Sequence, residues 1–299
     1  MKKIVKKIIE IAGKDNVKFN VDLKHYSTYK VSAIAHILIE VYDKDKFIKL
    51  LRFACFKRLK YIILGGGSNV LFKSKTLNSI VVHLNDGNLK FFAKNDKNYL
   101  YAFAGCKVAS IINKCKSKGF SALEWAIGIP ASIGGATIMN MGSFGHSMSD
   151  IVCSVTFFKD GKVQTLKNKN LFSYRTSLFK LQKCVIIGVV LNLKKCELII
   201  LQNQIVQFLN HKSKTQPLDL PSCGSVFKNG DTYRVAQLIQ NANLKGYVIG
   251  GAMVSDKHSN FIVNYNNATG KDVYNLIKHI KHTIWQKYKV KIVEEVVIY

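Results

Sequence analysis

The eighteen residues from Gly128 to Gly145, GIPASIGGATIMNMGSFG, constrain this chain more than any other stretch. Five glycines (Gly128, Gly134, Gly135, Gly142 and Gly145) and Pro130 sit among small side chains such as Ala131, Ser132, Ala136 and Ser143. Glycine allows left-handed backbone and close approach of another group, at an entropic cost that a plain connection avoids. A flexible linker would be polar throughout. Here Ile129, Ile133, Ile138, Met139, Met141 and Phe144 interleave with the glycines. The stretch is therefore expected to be a loop anchored in a core, with a flat or phosphorylated ligand lying on its backbone.

The 299 residues are enough for two domains with their own cores, and 48% apolar content excludes a disordered chain. The opening MKKIVKKIIEIAGKDN places Ile4, Ile8, Ile9, Ile11 and Ala12 on one helical face, so it reads as an amphipathic helix and not a signal peptide. Apolar runs fall short of the roughly 20 residues that cross a bilayer, and no membrane partner is expected. Seven cysteines, an odd number without a C-x-x-C pair, suit reduced thiols in the cytoplasm. The histidines lack metal-ligand spacing; His279 and His282 lie on a lysine-rich helix as a solvated face, and no metal is expected. The net charge of +27 suggests nucleic acid, yet only Arg52, Arg58, Arg175 and Arg234 among the 45 basic residues are arginines. The lysines are spread evenly, which favours general attraction of anions over recognition.

Taken in order, VSAIAHILIEVY reads as a strand, DKDKFIKLLRFACFKRL as a helix, and YIIL as a strand entering GGGSN, Gly65 to Asn69. This turn lacks the dinucleotide spacing G-x-G-x-x-G; it is either an anion nest or a tight hairpin. Strands follow at SIVVHL, NLKFFA and YLYAFAG, then a helix near Ala109 to Ser117. Beyond the glycine-rich stretch come VCSVTFF, VQTL and CVIIGVVLNL, and a charged, glutamine-rich helix from about Glu197 to Lys214 that reads as a boundary. The last third carries PSCGSVFKNG, a long helix from Lys271 to about Tyr288, and the closing strand KIVEEVVIY, whose adjacent Glu294 and Glu295 would face opposite sides. The pattern predicts an α+β fold.

GGGSN, the Gly128 to Gly145 stretch, SYRTSLFK, PSCGSVFKNG, LKGYVIGGAMVSDKHSNFIVN with NATGKDV, and the terminal EEV follow one another in an order that resembles the UDP-N-acetylenolpyruvoylglucosamine reductases. These are flavoenzymes of peptidoglycan precursor synthesis. The resemblance covers nearly the whole chain. The short passage after Arg175 is similar to the family's shorter subclass, which lacks an extra tyrosine-bearing loop. It implies an FAD-binding domain of the vanillyl-alcohol oxidase-like type over 1–196, in two α+β subdomains of about 1–80 and 81–196. A smaller α+β substrate domain over 197–299 would follow. It also implies NADPH-dependent reduction of UDP-N-acetylglucosamine enolpyruvate. The expected partners are that UDP-sugar and NADPH, with a monomeric chain and no specific nucleic acid. A related FAD-dependent oxidoreductase with another substrate, and a basic nucleic-acid-binding protein, stand as alternatives.

By the same resemblance FAD is held by Gly65, Gly66, Gly67, Ser68 and Asn69, and by Gly128, Ile129, Pro130, Ser132, Gly134, Gly135, Asn140, Gly142 and Ser143, with backbone amides on the pyrophosphate. Hydride addition to an enol ether needs the developing charge held and a proton supplied. Arg175 would be the clamp, Ser225 the proton donor and Glu295 the catalytic glutamate, with Glu294 outward. Tyr174, Lys214, Lys228, Asn229 and His258 would take the UDP-sugar. Three departures from the family pattern stand out: Ser32 and Ala33 replace a Gly-Gly pair, Ala131 replaces a glycine, and Gly230 replaces a proline.

Overall fold

The computed structural model describes residues 2–167 and 170–299. Helices and strands mix along the whole chain, giving the expected α+β class. Contacts group the chain into two compact units that interleave in sequence: Met1–Asn20, His36–Gly66 and Asn78–Leu209 form the first, and Val21–Ala35, Gly67–Leu77 and Asn210–Tyr299 the second. Among the described residues no helix is long and apolar enough to cross a membrane.

In the first unit, strands Ile34–Val41, Ile80–Leu84 and Tyr61–Leu64 pair in parallel, in that order. The helix Lys44–Phe56 connects the first of these to the third. Asp43 caps it by accepting from the Lys46 N–H at 2.8 Å, and Phe47, Leu50 and Leu51 are its buried stripe. Each buried side chain of this kind contributes about 1.5–3 kcal/mol of transfer free energy. A second, antiparallel sheet runs Lys162–Lys167, Val152–Lys159, Val185–Lys195, Lys97–Phe103, Leu89–Lys94. One apolar cluster extends from Ile8 to Leu193. A carboxylate is buried here too: Glu40 is bonded by His83 Nδ1 at 2.6 Å, by Asn85 and by Lys18, so its charge is matched.

In the second unit, strands Ser222–Ser225, Phe261–Asn264, Ala252–Val254 and Val248–Ile249 form an antiparallel sheet. The helix Gly270–Tyr288 opens with a capping box of Thr269 and Asp272 and buries Val273, Leu276, Ile277, Ile280 and Ile284. The chain's end is less regular than the sequence suggests. Only Val297–Ile298 is strand, paired in parallel with Val70–Leu71, and Glu294 joins Phe227 through an isolated bridge. Separate segments pair this end on its two sides, so no continuous ladder forms.

Tyr29 is fully buried in the second unit's apolar cluster, and its hydroxyl has no partner among the described residues. Burial drives its pKa well above 10.0, with the Cys223 thiol adding to the effect. A buried hydroxyl without a partner costs about 1–3 kcal/mol. Tyr29→Phe should therefore raise the midpoint of thermal or urea unfolding; a lower midpoint would show that the oxygen is needed.

Candidate active site

In the first unit the two glycine-rich stretches brace each other. A side chain on Gly66 would overlap the Pro130 carbonyl, and one on Gly65 would overlap the Ser132 hydroxyl, so close approach of the two backbones demands glycine. Gly128 to Gly145 is not loop throughout: Ile133–Ile138 is a short helix, capped by Ser132, whose Oγ accepts from the Gly135 N–H at 3.3 Å. The apolar residues seen in the sequence bury that helix. Many amides of the stretch are already bonded within the protein. Ile129 donates to Ala126, Ala131 to Ile129, Ile133 to Cys106 and Gly134 to Ala104. Ala131 lies outside the left-handed region, so its backbone does not require the family's glycine.

Further along the stretch, Asn140 is bound on both sides, its Nδ2 donating to the Ser173 carbonyl and its Oδ1 accepting from the Ser149 N–H, each at 3.0 Å. This fixes the hairpin Phe172–Ser173/Thr176–Ser177, whose two turn residues are Tyr174 and Arg175. Arg175 has φ 52°, a strained conformation for a residue with a side chain. Its Nη2 donates to the Gly142 carbonyl at 2.8 Å, and its guanidinium lies 5.3 Å from the Tyr174 ring centroid. Gly142, Ser143, Asn140, Tyr174 and Arg175 thus belong to one cluster.

The turn Gly65–Asn69 carries the chain from the first unit to the second, and the hairpin alternative for it fails. Tyr61–Leu64 and Val70–Leu71 on either side belong to different sheets. Gly67 has φ 60° and a side chain there would overlap the Tyr26 carbonyl. Among the described residues of the second unit, the N–H groups of Gly67 and Ser68 have no acceptor. Donors left open at consecutive positions suit phosphate oxygens. The residues present therefore fit the pyrophosphate of FAD.

The second unit gathers Ser225, Lys228, Asn229 and Glu295. Ser225 ends the strand Ser222–Ser225, opposite Phe261. Asn260, buried, clamps the next residues: its carbonyl accepts from Val226, its Oδ1 from the Phe227 N–H, and its Nδ2 donates to the Phe227 carbonyl at 2.8 Å. The Glu295 N–H donates to the Val226 carbonyl at 2.7 Å, and the Lys228 N–H to Val293. Glu294 pairs instead with Lys281 at 2.7 Å. Asn229 Oδ1 accepts from the Val235 N–H at the start of the helix Val235–Asn241. Gly230 fills the family's proline position by donating to the Tyr233 carbonyl under the Tyr233 ring, a bond proline would lack. His258 Nδ1 accepts from the Asn260 N–H, and burial holds its pKa below the ordinary 6.5. Ser32 lies outside the left-handed region and bonds Asp22 at 2.9 Å.

Sequence reasoning missed Asn260 and Lys212. Lys214, the expected ligand, is exposed, whereas Lys212 is 3% exposed. The signal was available: Leu201, Ile205, Phe208 and Lys212 fall at helical spacing within Leu198–Thr215. Burial pushes the Lys212 pKa down to about 8 from 10.5. The ammonium therefore disfavours the folded state below pH 8, and that penalty fades as pH rises towards 10.5. The stability difference between wild type and Lys212→Met should shift in favour of wild type across pH 8 to 10.5, measured by urea unfolding at each pH. A difference independent of pH would contradict the buried charge.

The fold is that of an FAD-binding protein: residues 35–167 match the FAD binding domain family. Residues 216–299 match the C-terminal domain of UDP-N-acetylenolpyruvoylglucosamine reductase. The UDP-N-acetylenolpyruvoylglucosamine reductase of Caldanaerobacter subterraneus is 32% identical over 99% of this chain and 97% of its own length. That of Bacillus subtilis is 33% identical over 100% and 98%. The crystal structure of the reductase from Thermus caldophilus superposes with a TM-score of 0.78 at 28% identity, over 93% of this chain and 97% of that one. The chain belongs to the UDP-N-acetylenolpyruvoylglucosamine reductase family and is an FAD-dependent oxidoreductase.

Proposed function

We propose that this chain reduces UDP-N-acetylglucosamine enolpyruvate to UDP-N-acetylmuramate with NADPH, and that Arg175, Ser225 and Glu295 carry the chemistry. The chemistry FAD supplies when bound is a hydride relay from NADPH to the vinyl carbon distal to the substrate carboxylate. The Arg175 fork takes the carboxylate, where negative charge grows during hydride addition. Ser225 gives its hydroxyl proton to the carbon next to that carboxylate, and Glu295 assists on the same segment pairing. Tyr174, Lys228, Asn229 and His258 hold the UDP-sugar, with Lys214 as a further contact from solvent. Gly65 to Ser68 supply amides to the FAD pyrophosphate, while Gly128, Ile129, Pro130, Ser132, Gly134, Gly135, Gly142 and Ser143 shape the cradle.

The observation that supports this reading is the backbone bond from Glu295 to Val226, the residue after Ser225. In terms of roles, residues 1–196 serve the cofactor and 197–299 the substrate. The reaction is assigned to the cytoplasm, in keeping with cysteines that are all free among the described residues, and to a monomer. A steady-state assay tests the substrate: NADPH oxidation should depend on the enolpyruvyl ether. UDP-N-acetylglucosamine, lacking that group, should give no turnover; equal turnover with both would remove the substrate assignment.

A further inference from the structure

We propose that Asn69 is a positioning residue for Glu295 and not a side-chain ligand of the cofactor; this rests on the catalytic reading of Glu295. Asn69 Nδ2 donates to the Glu295 carbonyl at 3.1 Å, and the Asn69 carbonyl accepts from the Val297 N–H at 3.0 Å. On its other side, the Glu295 N–H donates to the Val226 carbonyl at 2.7 Å, one residue after Ser225. The peptide groups on both sides of the Glu295 Cα are therefore fixed, one by the Ser225 segment and one by the turn that carries Gly67 and Ser68.

The side chain is needed because the ladder stops short. Pairing with Val70–Leu71 begins only at Val297, so the Glu295 carbonyl has no strand amide opposite it. The Asn69 carboxamide supplies the missing N–H, imitating one more rung of sheet. Aspartate has the same shape but, when ionised, no hydrogen to donate. Without this bond the Glu295 carbonyl loses its tie to the turn that carries Gly67 and Ser68, and a displacement of about 1 Å in a reacting group costs about 10²-fold in rate.

The test measures FAD affinity of the apoprotein, and both half-reactions of the flavin-loaded enzyme, for Asn69→Ala, Asn69→Asp, Glu295→Gln and the double variant Asn69→Ala/Glu295→Gln. Both Asn69 variants should bind FAD and accept hydride from NADPH within about threefold of wild type, yet be reoxidised by the enolpyruvyl substrate about 10- to 100-fold more slowly. The double variant should be no slower than Glu295→Gln alone, because the two residues act through one element. If the Asn69 variants lose FAD affinity, or slow both half-reactions equally, Asn69 is a cofactor ligand and the proposal falls. Multiplying effects in the double variant would also overturn it while leaving the role of Glu295 intact. Wild-type reoxidation in Glu295→Gln would overturn both. Should Asn69→Ala not fold, the isosteric Asn69→Asp decides by the same readings.

Discussion

Ser225→Ala should be reduced by NADPH at close to the wild-type rate and reoxidised by the enolpyruvyl substrate about 10²- to 10⁴-fold more slowly, the usual worth of a positioned acid. The asymmetry follows from chemistry. Hydride transfer into the cofactor needs no proton from Ser225, whereas completing reduction of the enol ether requires a proton at carbon. The substitution leaves the local frame alone, because Val226 and Phe227 are held by Asn260 through their own backbone groups. Stopped-flow absorbance under anaerobic conditions separates the two half-reactions. Equal slowing of both, or of neither, would remove the proton-donor role.

Arg175→Lys should slow reoxidation by about 10²-fold and flavin reduction far less. The arginine bonds the Gly142 carbonyl with one arm of its fork, stacks near Tyr174, and sits at a left-handed turn position. A lysine keeps the charge but is a point donor without the planar fork, so it cannot hold the carbonyl and read a carboxylate in fixed geometry. The same stopped-flow experiment reads the result. Unchanged reoxidation would move the carboxylate clamp to another residue.

Much of this was legible in the sequence, for identifiable reasons. The helix Gly270–Tyr288 shows in its spacing of Val273, Leu276, Ile277, Ile280 and Ile284 because one face packs and the other is wet. Of the glycines near Gly128, Gly134 marks close approach to Ala104 and Gly142 to His146 and Arg175, whereas Gly65 and Gly66 approach Ser132 and Pro130 of that stretch. The helix inside that stretch was hidden, since Gly134 and Gly135 argue against helix and only burial of Ile133, Ala136 and Thr137 stabilises it. The end of the chain is less of a strand than its composition implies: KIVEEVVIY is divided between an isolated bridge to Phe227, the Asn69 side chain and the two-residue strand Val70–Leu71, which no local pattern reveals. Two of the proposed site residues depend on segments distant in sequence. Arg175 lies 33 residues from the carbonyl it bonds, and Asn69 lies 226 from Glu295. Such pairs become visible in a sequence only through family resemblance. Lys212 differs: its spacing from Leu201, Ile205 and Phe208 marks the inward helical face, whereas the resemblance points to Lys214.

The most direct test of the account is a sequential anaerobic titration of the flavin-loaded chain. NADPH should bleach the oxidised flavin band. Subsequent UDP-N-acetylglucosamine enolpyruvate should restore it with one UDP-N-acetylmuramate formed per flavin reoxidised. A flavin that NADPH bleaches but the enolpyruvyl sugar fails to restore would contradict the proposed reaction.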